Sequence, residues 1–326
     1  MAGINLQPDR RAGLIVNPLA GKGSGKGLSL MRRLESQPGL TLCVLERFDQ
    51  LRGFLEQMGR EGVTDLFISS GDGTIQEILT EIAERPAFAV TPRIGLLPHG
   101  TTNLSATDIG FRSHSLDAQA AFLMNPTPRD MKQRHTIRCA NPGDGKVRHG
   151  MFVGTGAVAT ATLYCQKALN AKGVKGQRAV AVTLLTAVRK FLFSAPDPAD
   201  QSRFDRPYPI TVEADGKRLA DGVQLLQMST TLDRLALGMR PFWGSRQAPI
   251  HTTVLPYPVP SLLRWMLPVM YGSDTRRSPP GAISFSSDSL TVASESIFVI
   301  DGEFFPAPQG EPLRLEAGPL FTFMRG

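Results

Sequence analysis

Cysteine is scarce: Cys43, Cys139 and Cys165 are the only three in 326 residues, and they stand far apart. That excludes a secreted disulfide framework and fits a reducing compartment in which they are ordinary buried thiols. No Cys-x-x-Cys, His-x-His or His-x-x-x-His occurs, and His99, His114, His135, His149 and His251 are scattered, so no zinc chemistry is expected. A Gly-x-Ser-x-Gly elbow is also missing, which removes the serine-hydrolase class. The longest apolar stretch, Ala179–Val188, is bracketed by Arg178 and Arg189 and falls well short of the roughly 20 residues that span a bilayer. Asp9, Arg10 and Arg11 stand where an apolar signal core would, so a cytoplasmic location is expected, with peripheral membrane contact left open.

Acidic residues are the other shortage. Lys and Arg number 36 against 29 Asp and Glu, a formal charge of +7. Residues 1–135 hold 15 basic and 14 acidic side chains, and the remainder 21 and 15. Between Asp144 and Asp197 there is no carboxylate but eight basic groups: Lys146, Arg148, Lys167, Lys172, Lys175, Arg178, Arg189 and Lys190. Interleaved with Leu184, Leu185, Phe191 and Leu192, they resemble a surface that meets anionic headgroups, and Trp265 and Tyr271 on a later helix fit a lipid interface or a core. Few stacking aromatics accompany the basic residues and no recognition motif appears, so no nucleic-acid partner is expected.

The length suggests two domains at roughly 150 residues each. The first part alternates strand and helix patterns: Gly13–Val16 as a strand, Gly27–Gln37 as a helix, Thr41–Glu46 as a strand, Gln50–Arg60 as a helix. Asp65–Ser69 follows as a strand, about Ile75–Glu84 as a helix, and Arg93–Leu97 as a strand. A three-layer α/β domain with a parallel sheet follows from that order. After about Arg134 the period changes to two. Asp215-Gly216 lies between strand-like runs as a hairpin turn, and Met151–Gly156, Gly222–Ser229, Ser289–Ser294 and Ile297–Phe305 read as further strands of an antiparallel β-sandwich. A helical insertion over Ala161–Phe193, broken near Gly173–Gly176, and a short helix over Ser261–Tyr271 interrupt it.

Three glycine-bearing loops follow strands of the first part. Asn17–Gly27, NPLAGKGSGKG, misses the Walker A pattern because Ala20 replaces its first Gly and Gly27 its Ser or Thr. Ser70–Thr74, SGDGT, puts Asp72 between two glycines. The glycines permit close backbone approach to a polyphosphate, Thr74 suits a helix cap or a phosphate oxygen, and Asp72 suits magnesium or an acceptor hydroxyl. Pro98–Asn103, PHGTTN, is the third, and His99 within it suits either loop packing or a phosphate contact. Ligands of open α/β sheets bind beyond the carboxyl ends of the strands, so the three loops define one phosphate site.

These motifs, with Ile300–Glu303 (IDGE) near the end, resemble the diacylglycerol kinase catalytic-domain superfamily, which includes bacterial lipid kinases and sphingosine kinases. The resemblance implies ATP and Mg2+ as cofactors. It implies a nucleotide-binding kinase domain over 1–135, completed by about 312–326, and a β-sandwich lipid-substrate domain over 136–311. By the same resemblance, Asn17 and Gly21 line the nucleotide. Ser70, Gly71, Asp72, Gly73 and Thr74 cradle its phosphates with Glu77 nearby, and Gly100, Thr101 and Asn103 complete that side. Asp72 is the metal ligand, and Asp301 or Glu303 supplies the general base. Alone, IDGEFF reads as a hairpin turn. Two departures from the family stand out. Leu104 and Ser105 follow Asn103 where bacterial members carry Asp, and Ser245–His251, with Gln247 and His251, replaces the aspartates of a structural magnesium site.

The expected activity is therefore ATP-dependent phosphorylation of a lipid hydroxyl of diacylglycerol or sphingoid type. NAD kinase, which shares the GDGT element, and a silent nucleotide- or lipid-binding regulator are the alternatives. The expected partners are a lipid substrate at a membrane surface, anionic headgroups along 146–190, and a second copy of the chain in a homodimer.

Overall fold

The computed structural model describes residues 10–100, 103–127, 130–169, 176–193, 200, 203–244, 246–259, 262–276 and 278–326. The chain divides into two compact units, Met1–Arg134 with Pro319–Gly326, and His135–Gly318.

The first unit runs β1 (Ala12–Val16), α1 (Ala20–Gly23), α2 (Lys26–Leu34), β2 (Leu40–Val44), α3 (Leu51–Arg60), β3 (Asp65–Ser70), α4 (Asp72–Glu84), β4 (Arg93–Pro98), α5 (Leu104–Ile109) and α6 (Leu116–Met124). β1 is flanked by β2 and β3, and β3 by β4, all parallel. β1 and β3 are buried along their whole length, as strands covered on both faces must be. Side chains alternate across the sheet. Ala12, Leu14 and Val16 join Leu30 and Leu34 of α2 and Phe122 and Leu123 of α6 in one cluster. Gly13 points the other way, where a Cβ would lie 2.9 Å from Met58 Sδ of α3. Asp65, fully buried at the start of β3, is satisfied by Arg93 Nε at 2.6 Å and by Arg10, whose remaining nitrogens donate to the carbonyls of Leu123 and Met124. A buried carboxylate is tolerable only with such pairing.

β5 (Asp130–Asn141) starts in the first unit and continues into the second, which goes on with β6 (Lys146–Gly150), β7 (Phe152–Gly156), α7 (Ala157–Tyr164), a π-helical turn (Cys165–Leu169) and α8 (Gly176–Phe193). Then come β8 (Tyr208–Ala214), β9 (Lys217–Ala220), β10 (Val223–Thr230), β11 (Ile250–Pro256), α9 (Leu262–Met270), β12 (Ile283–Ser287), β13 (Ser289–Ser294), β14 (Phe298–Ile300), β15 (Glu303–Phe305) and β16 (Leu313–Arg325), whose residues from Pro319 on belong to the first unit. One antiparallel array runs β9-β8-β13-β16-β5-β6 and another β15-β14-β7-β10-β11-β12. Val212, Val292 and Leu315 from the first meet Val153, Ile250 and Phe298 from the second in one core. β16 pairs with β13 through Leu313–Glu316, and its later residue Phe323 pairs in parallel with Ile94 of β4.

Two boundaries differ from the sequence reading. α4 begins at Asp72 rather than Ile75, because extended Gly71 serves as its N-cap and an acidic residue is favoured in the first turn. The helical insertion begins at Ala157, directly after Gly156 turns the chain at φ 70°. Its expected break near Gly173–Gly176 falls mostly outside the described residues, with α8 starting at Gly176.

Candidate functional site

Register alone aligns the three loops of the first unit. Val16 is paired with Ser69, and Ser70 with Pro98, so β1, β3 and β4 release their chains at the same edge. Asn17 ties the first loop to the second: its N–H donates to the Ser69 carbonyl at 3.2 Å and its Nδ2 to Thr74 Oγ1 at 2.8 Å. Its own Oδ1 accepts from the Leu19 N–H at 2.9 Å. Thr74 is thereby engaged as an acceptor rather than as a helix cap.

Glycine brings the loop backbones together. A Cβ on Gly100 would sit 2.4 Å from Gly71 Cα, and one on Gly21, which is at φ +58°, 2.6 Å from the His99 carbonyl oxygen. Asn103 adopts φ 53° and folds back on the third loop, where its Oδ1 accepts from Gly100 N–H at 2.7 Å and its Nδ2 donates to Gly100 O at 3.0 Å. Thr101 lies outside the described residues.

Asp72 is buried at the first position of α4, and its Oδ1 accepts from the Ser105 N–H at 3.1 Å. The carboxylate of the second loop is thus fixed by the helix that follows the third. Beside it, Ser70 is 1% exposed, and its Oγ has no hydrogen-bond partner among the described residues. An unpaired buried hydroxyl is costly and suits a ligand oxygen. Gly73 is half-buried in the same turn, and Glu77 is exposed further along α4. His99 packs inward: its Nδ1 lies 2.8 Å from Ser69 Oγ, and burial pushes the imidazole down to about 4, so it is neutral at pH 7.

The second unit places the IDGE segment at a hairpin. Asp301 and Gly302, at φ 47° and 92°, form the two-residue turn between β14 and β15, a conformation Asp-Gly is suited to. The Asp301 carboxylate accepts from Met151 N–H at 3.0 Å and from Phe152 N–H at 2.9 Å. Gly150 must lack a side chain, since a Cβ there would lie 2.9 Å from Asp301 Oδ2. Gln166, in the π-helical turn, donates from Nε2 to Gly302 O at 2.6 Å. Glu303, by contrast, is exposed. The structure therefore treats the two candidate bases differently: Asp301 anchors the turn and Glu303 is exposed to solvent.

Sequence reasoning missed Ser105, Gly150, Met151, Phe152 and Gln166, all of which act here through backbone groups, an absent side chain or a single distant amide. Only the adjacency of Ser105 to the third loop offered a signal. Among the described residues no group of three or more His, Cys, Asp or Glu could hold a metal ion. Magnesium bound with a polyphosphate takes only one or two protein carboxylates, so Asp72 beside the unpaired Ser70 hydroxyl fits that role. Gln247 N–H donates to Ser286 Oγ at 3.0 Å, and His251 is buried against the Phe242 ring and pushed down to about 4 by that burial.

Residues 11–133 match the family model of the diacylglycerol kinase catalytic domain. Curated relatives include "Probable lipid kinase YegS-like" from Enterobacter sp. (strain 638), 43% identical over 65 residues covering 20% of this chain and 21% of the relative. "Probable lipid kinase YegS" from Escherichia coli O127:H6 (strain E2348/69 / EPEC) is 32% identical over 108 residues, 32% of this chain and 35% of the relative. These matches thus span about a fifth to a third of the relatives' length. The crystal structure of a diacylglycerol kinase from Bacillus anthracis str. Sterne superposes with a TM-score of 0.62 at 14% identity, covering 97% of both chains, which establishes likeness of fold. The resemblance to this family is borne out over the three loops of the first unit, and Ile300–Glu303 lies outside the residues that the family model matches.

Proposed function

We propose that the chain transfers the γ-phosphoryl group of ATP to a hydroxyl of a diacylglycerol- or sphingoid-type lipid. The observation that carries this reading is the convergence of three strand-end loops, locked through Gly71–Gly100 and Asn17–Thr74, around a buried Asp72 and an unpaired Ser70 hydroxyl. The family match over those loops supports a kinase, and the relatives' names support a lipid acceptor.

Phosphoryl transfer asks mainly for positioning and charge neutralisation. The glycines of the second and third loops admit phosphate oxygens close to backbone N–H groups. The Ser70 hydroxyl donates to one of them. Asp72, oriented by Ser105, would hold magnesium, which when bound neutralises phosphate charge. A lipid hydroxyl is a weak nucleophile at neutral pH, so a carboxylate must take its proton. Glu303 is the accessible carboxylate for that task, and Asp301, held by two backbone N–H groups, sets the turn that presents it.

The test is transfer of labelled γ-phosphate to diacylglycerol, monoacylglycerol, ceramide and sphingoid bases in mixed micelles, with NAD as a soluble acceptor. Labelling of a lipid is expected. Labelling of NAD alone would overturn the acceptor class.

A further inference from the structure

Three large apolar side chains of α8, Val182, Leu185 and Phe193, face away from the fold. Ala179 and Thr183 are buried, and Ala187 packs against the cluster of Phe204, Leu225 and Leu255. Cys165 Sγ meets Thr183 Oγ1 at 2.7 Å on that same side. The positions of α8 that are buried among the described residues thus carry small side chains. On the outside stand Arg178, Val182, Leu185, Arg189 and Phe193, whose spacing of three and four residues makes one continuous stripe. Val182, Leu185 and Phe193 are 37%, 70% and 80% exposed. A helix that served only to close a core would show the reverse distribution.

The charges on this stripe are of one sign. Arg178 and Arg189 are exposed and form no ion pair among the described residues. Two basic residues of the same acid-free segment are used otherwise: Arg148 is buried between Asp144, at 2.7 Å, and the Phe305 ring, at 3.9 Å, while Lys190 pairs with Asp200. Lys172 and Lys175 lie outside the described residues. The cluster that seats α8 through Ala187 also seats α9 through Val269. α9 turns outward Arg264 and Leu267, the latter 62% exposed, and the chain from Arg234 to Ser273 contains no acidic residue.

We propose that the outward stripe of α8, assisted by Arg264 and Leu267 of α9, is a docking surface for an anionic lipid bilayer. Leu185 and Phe193 would enter the acyl boundary while Arg178 and Arg189 meet lipid phosphates, the pairing of apolar and cationic side chains that interfacial helices use. A soluble anion would leave the apolar side chains in water, and a second copy of the same stripe would bring arginines against arginines. The inference goes beyond the phosphoryl-transfer reading and does not rest on it.

The experiment is sedimentation of the full chain with vesicles of phosphatidylcholine alone or mixed with phosphatidylglycerol. Capture by the mixed vesicles only, weakening as salt is raised, is expected. The double variant Arg178→Glu/Arg189→Glu should lower partitioning by about tenfold or more. Leu185→Asp with Phe193→Ser should do likewise with an unchanged melting temperature, because both side chains are exposed. Asp72→Asn should still be captured, which separates docking from turnover. Equal capture of parent and variants, or none of the parent, would overturn the proposal. So would a concentration-dependent dimer that Leu185→Asp dissolves in the absence of vesicle binding, which would assign the stripe to a second copy.

Discussion

The chain contains two Asp-Gly turns that the motifs single out, Asp72-Gly73 and Asp301-Gly302, and they solve different problems with the same dipeptide. Asp72 opens a helix after a buried parallel strand, and its carboxylate accepts an N–H from Ser105 across the loop cluster. Asp301 closes a hairpin in the left-handed region and accepts N–H groups from the neighbouring strand at Met151 and Phe152. In the first turn the glycines serve close approach, Gly71 against Gly100; in the second, Gly302 serves a positive φ. A buried carboxylate thus organises backbone in both places, and in the first Ser70, two residues before Asp72, has a buried hydroxyl without a partner among the described residues. The first turn therefore joins two glycine-bearing loops through close backbone approach, whereas the second is fixed by its own hairpin geometry and the N–H groups it accepts.

The largest expected effect breaks the comparison at the first turn. Asp72→Asn keeps the shape and one acceptor oxygen but removes the charge; turnover should fall about a thousandfold while the melting temperature stays within a few degrees, as measured by labelled phosphate transfer and calorimetry. At the second turn the two carboxylates should separate. Glu303→Gln should lower kcat by about 10²-fold or more at unchanged stability. Asp301→Asn should cost about 1–3 kcal/mol in chemical denaturation, since its acceptor role toward two N–H groups is weakened. A Glu303→Gln enzyme with full activity would return the base to Asp301.

Gly100→Ala tests whether close approach is what the first cluster needs. With Gly71 Cα 2.4 Å from the added carbon, the loops must part, and a cost of about 1–3 kcal/mol with weaker nucleotide binding is expected. The smallest effect concerns His99. Its folded-state value near 4 lies below the ordinary 6.5, so the unfolded chain binds the extra proton first. Stability should therefore be fully present above about pH 6.5 and decline as pH falls towards 4. Thermal melts of parent and His99→Leu across that window should show a shallower decline in the variant.

Much of the first unit was legible because its signals are local. Gly13–Val16 and Asp65–Ser69 are short apolar runs ended by polar, glycine-bearing loops, and β1 and β3 occupy them within a residue. The Asp215-Gly216 and Asp301-Gly302 hairpins were equally readable, since both first residues reach φ near 50° as Asp-Gly turns allow. α6 escaped notice although Ser115 caps it by accepting from Ala118 N–H at 3.4 Å and Asp117 follows in its first turn. The start of α7 was hidden because Ala157–Tyr164 prolongs the apolar run of β7 and only Gly156 marks the change. The basic segment was visible as composition, yet composition treats Arg148 and Arg178 alike, whereas one is buried against Asp144 and the other stands on an exposed helix face.

By itself, the sequence determined the strand, glycine loop and helix order of the first unit, the order and residues of the four motifs, and the acid-free stretches, because turn chemistry, periodicity and charge are properties of neighbours along the chain. Tertiary structure alone decided that Gly71 meets Gly100, that Ser105 holds Asp72, that Asp301 is buried while Glu303 is exposed, and that α8 turns Leu185 and Phe193 outward. Burial and backbone contact join residues far apart in sequence, and no local pattern records which side chain the fold will cover.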